Sequence, residues 1–511
     1  MHHRIIPLLI VVGLILGTPA AAGAGSGDDL RTALDEQMPA LLARYGVPGT
    51  VVARISNGEV AWTQAYGLAD VAAGEPMDAA MVLEFGSLGK VITAWAVMRL
   101  VDQGRLDLDA PANDYLKRWQ VESSRYDSNR VTIRRLLSHT SGLSIHGYVD
   151  YSPRRAALPG LVESVDGKHL MEGLLETLQT GRPSLGNVEL VQEPGSGYKY
   201  SGGGYAVLQM VIEDVTGEPF DAFMQREITD PLGATSMRWA WTPELRARAP
   251  VPYGDEGQPL EHRQLAIHGI GSEIGTVTDL ARFVAAAVPG PNGEPAGRGV
   301  LEPETVKLMA SPQVGTGGVH GLGYGAGRIN GNGTVSHSGA NSGWMAFFIL
   351  DTVRREGFVI ASPSNRADPL HRTVTNLWLD NVYGPGQRTD WAPAPALGTF
   401  SLVSLALALI LALALLVTLL RFARQVRLGR RRRAGRPRLR SLVLGLPWLL
   451  WLLFAVYTTY TSLPLYLPAG FPDLWATPGS HVLLAVLAAW VLYSGVAAFF
   501  RPRTAGSLST T

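Results

Sequence analysis

Ser87-Leu88-Gly89-Lys90 places an alcohol and an amine three residues apart at the start of an apolar-periodic segment. Three residues is nearly one helical turn, so the two side chains share a face if a helix begins there. A serine hydroxyl is a poor nucleophile until a neighbouring base takes its proton. Lysine can be that base only if burial or a nearby cation lowers its pKa enough to leave it neutral. A helix N-terminus would also set a backbone N–H close to developing negative charge. The chemistry such a pair could carry is attack by an activated Ser87 hydroxyl, although one pair at this spacing is a weak signal by itself.

Other reactive side chains are weaker candidates. Tyr200 stands beside Ser201-Gly202-Gly203-Gly204, and on its own reads rather as a residue that closes a glycine-rich loop. His139, inside Leu-Ser-His-Thr-Ser-Gly-Leu, reads as a turn fixed by hydrogen bonds. His262 and His268 are six apart, without a carboxylate at ligand spacing, so no metal site is expected. Asp279 precedes an apolar run and suits a helix start. Trp344 either lines a cleft or fills the core. The charged residues between 240 and 263 read as a solvated surface. No Gly-x-Ser-x-Gly occurs, which argues against a nucleophile elbow of the α/β-hydrolase type. The absence of cysteine removes disulfides, thiolate zinc sites, cysteine nucleophiles and lipid attachment through cysteine.

The elements that must position these residues are read from patterning. Thr50–Ile55, Asn57-Gly58 and Val60–Tyr66 form a strand, a tight turn and a strand. Val91, Ile92, Trp95, Met98 and Val101 recur at the spacing of an amphipathic helix over Lys90–Gln103, which Gly104 can end. Phe347–Leu350 and Gly357–Ile360 read as two late strands. Strands at both chain ends with helices between predict an α+β fold whose antiparallel sheet joins the two ends. The stretch from about 144 to 190 is punctuated by Gly and Pro and receives no assignment.

The chain has 511 residues, 46% of them hydrophobic and only 17% charged. A globular average is about 25% charged, so part of the chain is expected outside water. The net charge of +1 conceals ten arginines within residues 421–440, against an acidic remainder of about −9. Residues 1–22 have the basic start, apolar run and small residues of an export signal. Three apolar stretches, at about 399–420, 442–462 and 480–500, are long enough to cross a ~30 Å hydrocarbon layer. The arginine block lies between the first two, which reads as membrane topology and anionic-lipid contact rather than nucleic-acid binding. The positive-inside rule then places that block and the C-terminus in the cytoplasm, with the body of the chain outside the cell membrane. The domain plan is a signal over 1–22, a globular domain over 28–382, a proline-rich linker over 383–398 and a membrane domain over 399–511.

Six segments carry a family resemblance. They are Phe85–Lys90, Leu136–Leu143, Pro194-Gly195 running into Tyr200–Tyr205, Pro231–Gly233, Thr278–Phe283 and His337–Gly339. In order and content residues 30–382 resemble the serine β-lactamase-related hydrolases. That group spans class C β-lactamases, penicillin-binding proteins, and the esterases and D-amino-acid peptidases that share their fold. The resemblance implies a β-lactamase/transpeptidase-like domain with a helical subdomain and no cofactor. It implies Ser87 as nucleophile, Lys90 as the base and Tyr200 as the group that passes the proton to the leaving group. It further implies an edge strand at His337-Ser338-Gly339 and an oxyanion hole from the backbone N–H groups of Ser87 and Ala340.

Two departures from the family pattern bear on substrate. Tyr200-Ser201-Gly202 stands where many relatives have Tyr-x-Asn, and glycine has no amide to offer lysine or substrate. His337-Ser338-Gly339 stands where β-lactamases have Lys-Thr-Gly, exchanging a fixed cation for an imidazole largely neutral near pH 7. The expected function is a membrane-anchored serine hydrolase acting on small esters, amides or peptides. The alternatives are a β-lactamase or DD-carboxypeptidase, and a sensor of cell-wall fragments with little turnover. The expected partners are a small-molecule or peptide substrate and the lipid bilayer, without nucleic acid.

Overall fold

The computed structural model describes residues 27–144, 148, 150–155, 157–166, 187–386, 395–433, 449 and 478–502. It divides into two compact units. One comprises residues up to 144, 150–168 and 187–389, and the other comprises 145–149, 169–186 and 390–511. The expected export signal lies outside the described residues.

In the first unit α1 (Gly27–Tyr45) leads into β1 (Gly49–Ser56) and β2 (Glu59–Asp70). The turn between the strands is Asn57-Gly58, with φ of +54° and +77°. Two successive positive φ values match the right-handed strand twist, which is why Asn-Gly marks the hairpin. The short strands β3 (Glu75–Pro76) and β4 (Leu83–Glu84) come next, then α2 (Gly89–Asp102), α3 (Gly202–Thr216), β5 (Ile274–Gly275) and α4 (Val277–Ala285). The chain then returns through β6 (Gly325–Ile329), β7 (Asn332–Asn341), β8 (Trp344–Asp351) and β9 (Glu356–Ser362), and α5 (Asp368–Tyr383) closes the unit.

The main sheet has seven strands in the order β3-β2-β1-β9-β8-β7-β6. Its seam is β1 against β9, antiparallel, with Val52 opposite Ile360, so the two chain ends build one sheet as the patterning predicts. Polar groups lock this seam. His371 Nε2 bonds Ser362 Oγ at 2.9 Å, Ser362 Oγ donates to Thr50 Oγ1 at 2.8 Å, and Thr50 Oγ1 donates to Ala361 O at 3.0 Å. Arg54, buried on β1, donates to Glu356 Oε2 and to Asn381 Oδ1, both at 2.7 Å.

Helices α1 and α5 cover one face of the sheet through Leu34, Met38, Val374 and Trp378, packed on Val52, Phe347, Phe358 and Ile360. Helix α4 packs against β1, β2 and β9, with Asp279 in its first turn accepting from Ser236 N at 2.7 Å. Trp378 is fully buried with its ring 5.7 Å from that of Phe358. Trp378→Ala is therefore expected to cost about 3–5 kcal/mol, read as a lower denaturant midpoint.

Helix α2 departs from the amphipathic expectation, because residues from Gly89 to Met98 are buried on every face. It is the central helix of the unit, in contact with α3 and the loop around His268–Ile270, and its Trp95 Nε1 donates to the buried Tyr324 hydroxyl at 2.7 Å. A helix enclosed all round needs no polar stripe. This enclosure is what buries Lys90.

In the second unit α6 (Pro395–Arg427) and α7 (Pro478–Ala498) pack through Ala408, Leu483 and Leu487. Trp490 Nε1 donates to Leu411 O at 3.1 Å. Leu405–Arg427 is the one helix among the described residues with the length and composition to cross a membrane, while the apolar part of α7, Val482–Ala498, is shorter. Three spans are thus not established. The first and third expected stretches are helical, and the middle one, apart from residue 449, lies outside the described residues. Pro395 begins α6, so the helix reaches into the expected linker; proline is at home in a first helical turn because its missing N–H is not required there.

Candidate active site

Ser87 lies in a single 3-10 turn, Gly86–Leu88, that runs into α2. Two glycines let this turn lie against β7. Gly86 has φ +57°, and a Cβ there would come within 2.6 Å of Ala340 N. A Cβ on Gly339 would stand 1.9 Å from Phe85 O and 2.9 Å from Ser87 N. The Gly339-Ala340 backbone and the Ser87 amide are therefore brought side by side. Strand β6 accompanies β7 only as far as Ser336, opposite Gly325. From His337 to Ala340 that edge of β7 has no strand partner among the described residues, while the other edge pairs with β8. An unpaired edge beside a nucleophile is a place where an extended substrate can hydrogen-bond.

Lys90 Nζ lies 3.1 Å from Ser87 Oγ and donates to Ile270 O at 2.5 Å. The side chain is only 2% exposed. Desolvation lowers its pKa to about 7, with the charge of Glu273 acting in the opposite direction. A neutral amine can accept the Ser87 proton along the same contact. Because the pKa is lowered, the base is present above it and is lost as the pH falls. The rate of Ser87 acylation is therefore expected to drop about tenfold per pH unit below about pH 7.

The Tyr200 ring stands over this pair, its centroid 5.2 Å from Lys90 Nζ. Burial raises the pKa of its phenol, against a smaller lowering by a side-chain hydrogen bond with Ser87. The phenol thus keeps its proton at neutral pH. Tyr205 adds a second ring 5.9 Å from the amine. Ser201 accepts from Gly204 N at 2.9 Å and caps α3, which starts at Gly202. The Tyr-Ser-Gly segment is thus a helix start, with no side chain at 202 to reach lysine or substrate.

Three imidazoles border the site. His139 has φ +57°, and its Nδ1 accepts from Ser201 N at 3.1 Å while its ring lies 4.4 Å from that of Tyr200. It ties its own turn to the backbone of Ser201, next to the tyrosine. His320, unsignalled in the sequence, sits 5.0 Å from His139, and burial lowers its pKa to about 4. His337 Nδ1 donates to Ser338 O at 2.7 Å. Its pKa is held well below the usual value by desolvation, then by His320 and Lys90. The half-buried ring is a neutral imidazole whose Nε2 is an acceptor.

Other sequence candidates fall elsewhere. His262 Nε2 bonds Pro250 O at 3.0 Å and His268 Nδ1 bonds Asp221 Oδ1 at 2.6 Å, so the two do not share a ligand. Trp344 is 1% exposed and belongs to the core, stacked 5.9 Å from Trp241. Sequence reasoning did not single out the buried carboxyls Glu84 and Glu273, which receive Trp241 Nε1 and Trp239 Nε1 at 3.1 Å each.

The beta-lactamase family model matches residues 34–382. Esterase EstB of Burkholderia gladioli is 34% identical over 234 residues, 45% of this chain and 56% of that protein, so the chain spans little more than half its length. Penicillin-binding protein 4 of Amycolatopsis lactamdurans is 26% identical over 344 residues, 65% of this chain and 84% of that protein. Among solved structures, the octameric penicillin-binding protein homologue from Pyrococcus abyssi has a TM-score of 0.55 at 22% identity, over 70% of this chain and 78% of that one. The last likeness concerns the fold alone.

Proposed function

This chain belongs to the beta-lactamase family of serine hydrolases, and on that premise we propose that it cleaves small esters, amides or peptides through an acyl-enzyme on Ser87. The observation that carries the proposal is the buried Lys90 amine 3.1 Å from Ser87 Oγ. Lys90 takes the hydroxyl proton as Oγ bonds to the substrate carbonyl carbon. The carbonyl oxygen becomes negative and accepts from the Ser87 and Ala340 N–H groups. The proton passes by way of Tyr200 to the leaving alcohol or amine as the bond to it breaks. Water then adds to the ester, and the acid departs as Ser87 recovers its proton.

Substrates without an obligatory carboxylate suit the site best. His337 is neutral where a lysine would face a carboxylate, and Gly202 offers no amide. The esterase relative from Burkholderia gladioli supports the same choice. A short-chain p-nitrophenyl ester is expected to give sustained turnover, with a chromogenic cephalosporin hydrolysed far more slowly. Faster cephalosporin hydrolysis would favour a β-lactamase, a burst without turnover a sensor, and inert wild type would overturn the reading.

The cell membrane is the proposed location, with the hydrolase domain on the outer side. Support comes from the apolar Leu405–Arg427 helix and the arginines that follow it. Protease added outside intact spheroplasts is expected to digest the hydrolase domain, and complete protection would contradict this orientation.

A further inference from the structure

Glu273 has no part in the steps above, yet it lies against the helix start that carries them. It immediately precedes β5 and is fully buried. Its Oε1 accepts from Trp239 Nε1 at 3.1 Å, and its Oε2 has no hydrogen-bond partner. A Cβ on Gly89 would stand 1.5 Å from Oε2 and 2.2 Å from Oε1. The carboxyl is thus pressed onto the α-carbon of the residue before Lys90, a contact only glycine permits.

The surroundings of the pair are otherwise neutral or occupied. Lys90 is faced by Ser87, Ile270 O, Tyr200, Tyr205 and the uncharged His337. Asp221 acts on Glu273 from α-helical Phe220–Met224 but bonds His268. Glu84 is taken up by Trp241 and Asn341. Glu273 is the carboxyl whose charge acts on Lys90.

We propose that Glu273 is a positioning residue that sets the proton affinity of Lys90 and thereby the lower pH limit of Ser87 acylation. When Ser87 loses its proton, the O–H bond breaks and an N–H bond forms, leaving an ammonium in a buried site. Such a cation is costly without negative charge nearby. Negative charge on Glu273 makes Lys90 a stronger base, and the same charge holds the amine protonated to higher pH in the resting enzyme. Burial raises the proton affinity of the carboxyl and lowers that of the amine, while the attraction of their charges opposes both shifts, so they titrate as a coupled pair. Glu273 itself forms and breaks no bond.

The inference rests on the acyl-enzyme reading, and one experiment separates the two. The rate of fluorophosphonate labelling of the full-length protein is measured from pH 5 to 9 for wild type, Glu273→Gln, Glu273→Asp and Trp239→Phe. Glu273→Gln is expected to move the acid limb to lower pH, on the order of one unit, and to lower the plateau several-fold through a weaker base. Glu273→Asp keeps the charge and is expected to hold the limb near its wild-type place. Trp239→Phe removes a donor that favours the charged carboxylate, so its limb moves the same way by less. A merely structural role would lower the plateau and leave the limb unmoved. Labelled wild type with an unmoved or raised limb in Glu273→Gln overturns the inference and leaves the acyl-enzyme standing. Unlabelled wild type overturns the acyl-enzyme itself. If Glu273→Gln does not fold, an unmoved limb in Trp239→Phe overturns the inference.

Discussion

Lys90→Met is expected to slow fluorophosphonate labelling of Ser87 by about 10²–10⁴-fold at pH 8, the range a positioned general base contributes. Methionine is unbranched and suits the apolar enclosure of α2. The substitution also leaves Ile270 O without the donor it has at 2.5 Å, a loss of about 1–3 kcal/mol of stability. The two effects are separable. The stability loss appears in the denaturant midpoint, whereas removal of the base appears as a low rate without the acid limb. A rate within tenfold of wild type, or an acid limb that survives the substitution, would remove Lys90 from the role of base.

Gly339→Ala is expected to be comparably damaging, by another route. The added methyl carbon would stand 1.9 Å from Phe85 O, 2.8 Å from Leu88 Cδ1 and 2.9 Å from Ser87 N. Two of those three atoms are backbone and cannot rotate away, so β7 must move off the Ser87 turn. The Ala340 N–H would leave the place where the oxyanion forms, and loss of one such donor costs about 10²–10³ in rate. Overpacking adds about 1–3 kcal/mol of destabilisation. Labelling kinetics and thermal unfolding together test this. Wild-type labelling by Gly339→Ala would mean that the β7 edge does not contribute to the site.

The alcohol–amine pair was legible in the sequence because its geometry is local. Three residues at the mouth of a helix fix the relation of Ser87 to Lys90. The Asn57-Gly58 hairpin was legible for the same reason. The pairing of the chain ends was inferable only in outline. Patterning marks Thr50–Ile55 and Gly357–Ile360 as strands, but nothing local pairs Val52 with Ile360, 308 positions away. What the sequence hid is mostly long-range burial. Apolar spacing gave α2 one buried face, whereas packing against α3 and the Ile270 loop buries the other and moves Lys90 out of water. Glu273 stands between Ser272 and Ile274 with no periodicity to mark it, and only its proximity to Gly89 gives it meaning. His320 was silent for the same reason. The apolar helices α6 and α7 were legible in composition, and among the described residues Leu405–Arg427 alone has the length and composition to cross a membrane.

Peptide mapping by mass spectrometry after fluorophosphonate treatment tests the central claim most directly. The account predicts one adduct, on the peptide that carries Ser87, and none on Ser87→Ala treated in parallel. An adduct on a different serine, or equal labelling of wild type and Ser87→Ala, would contradict it.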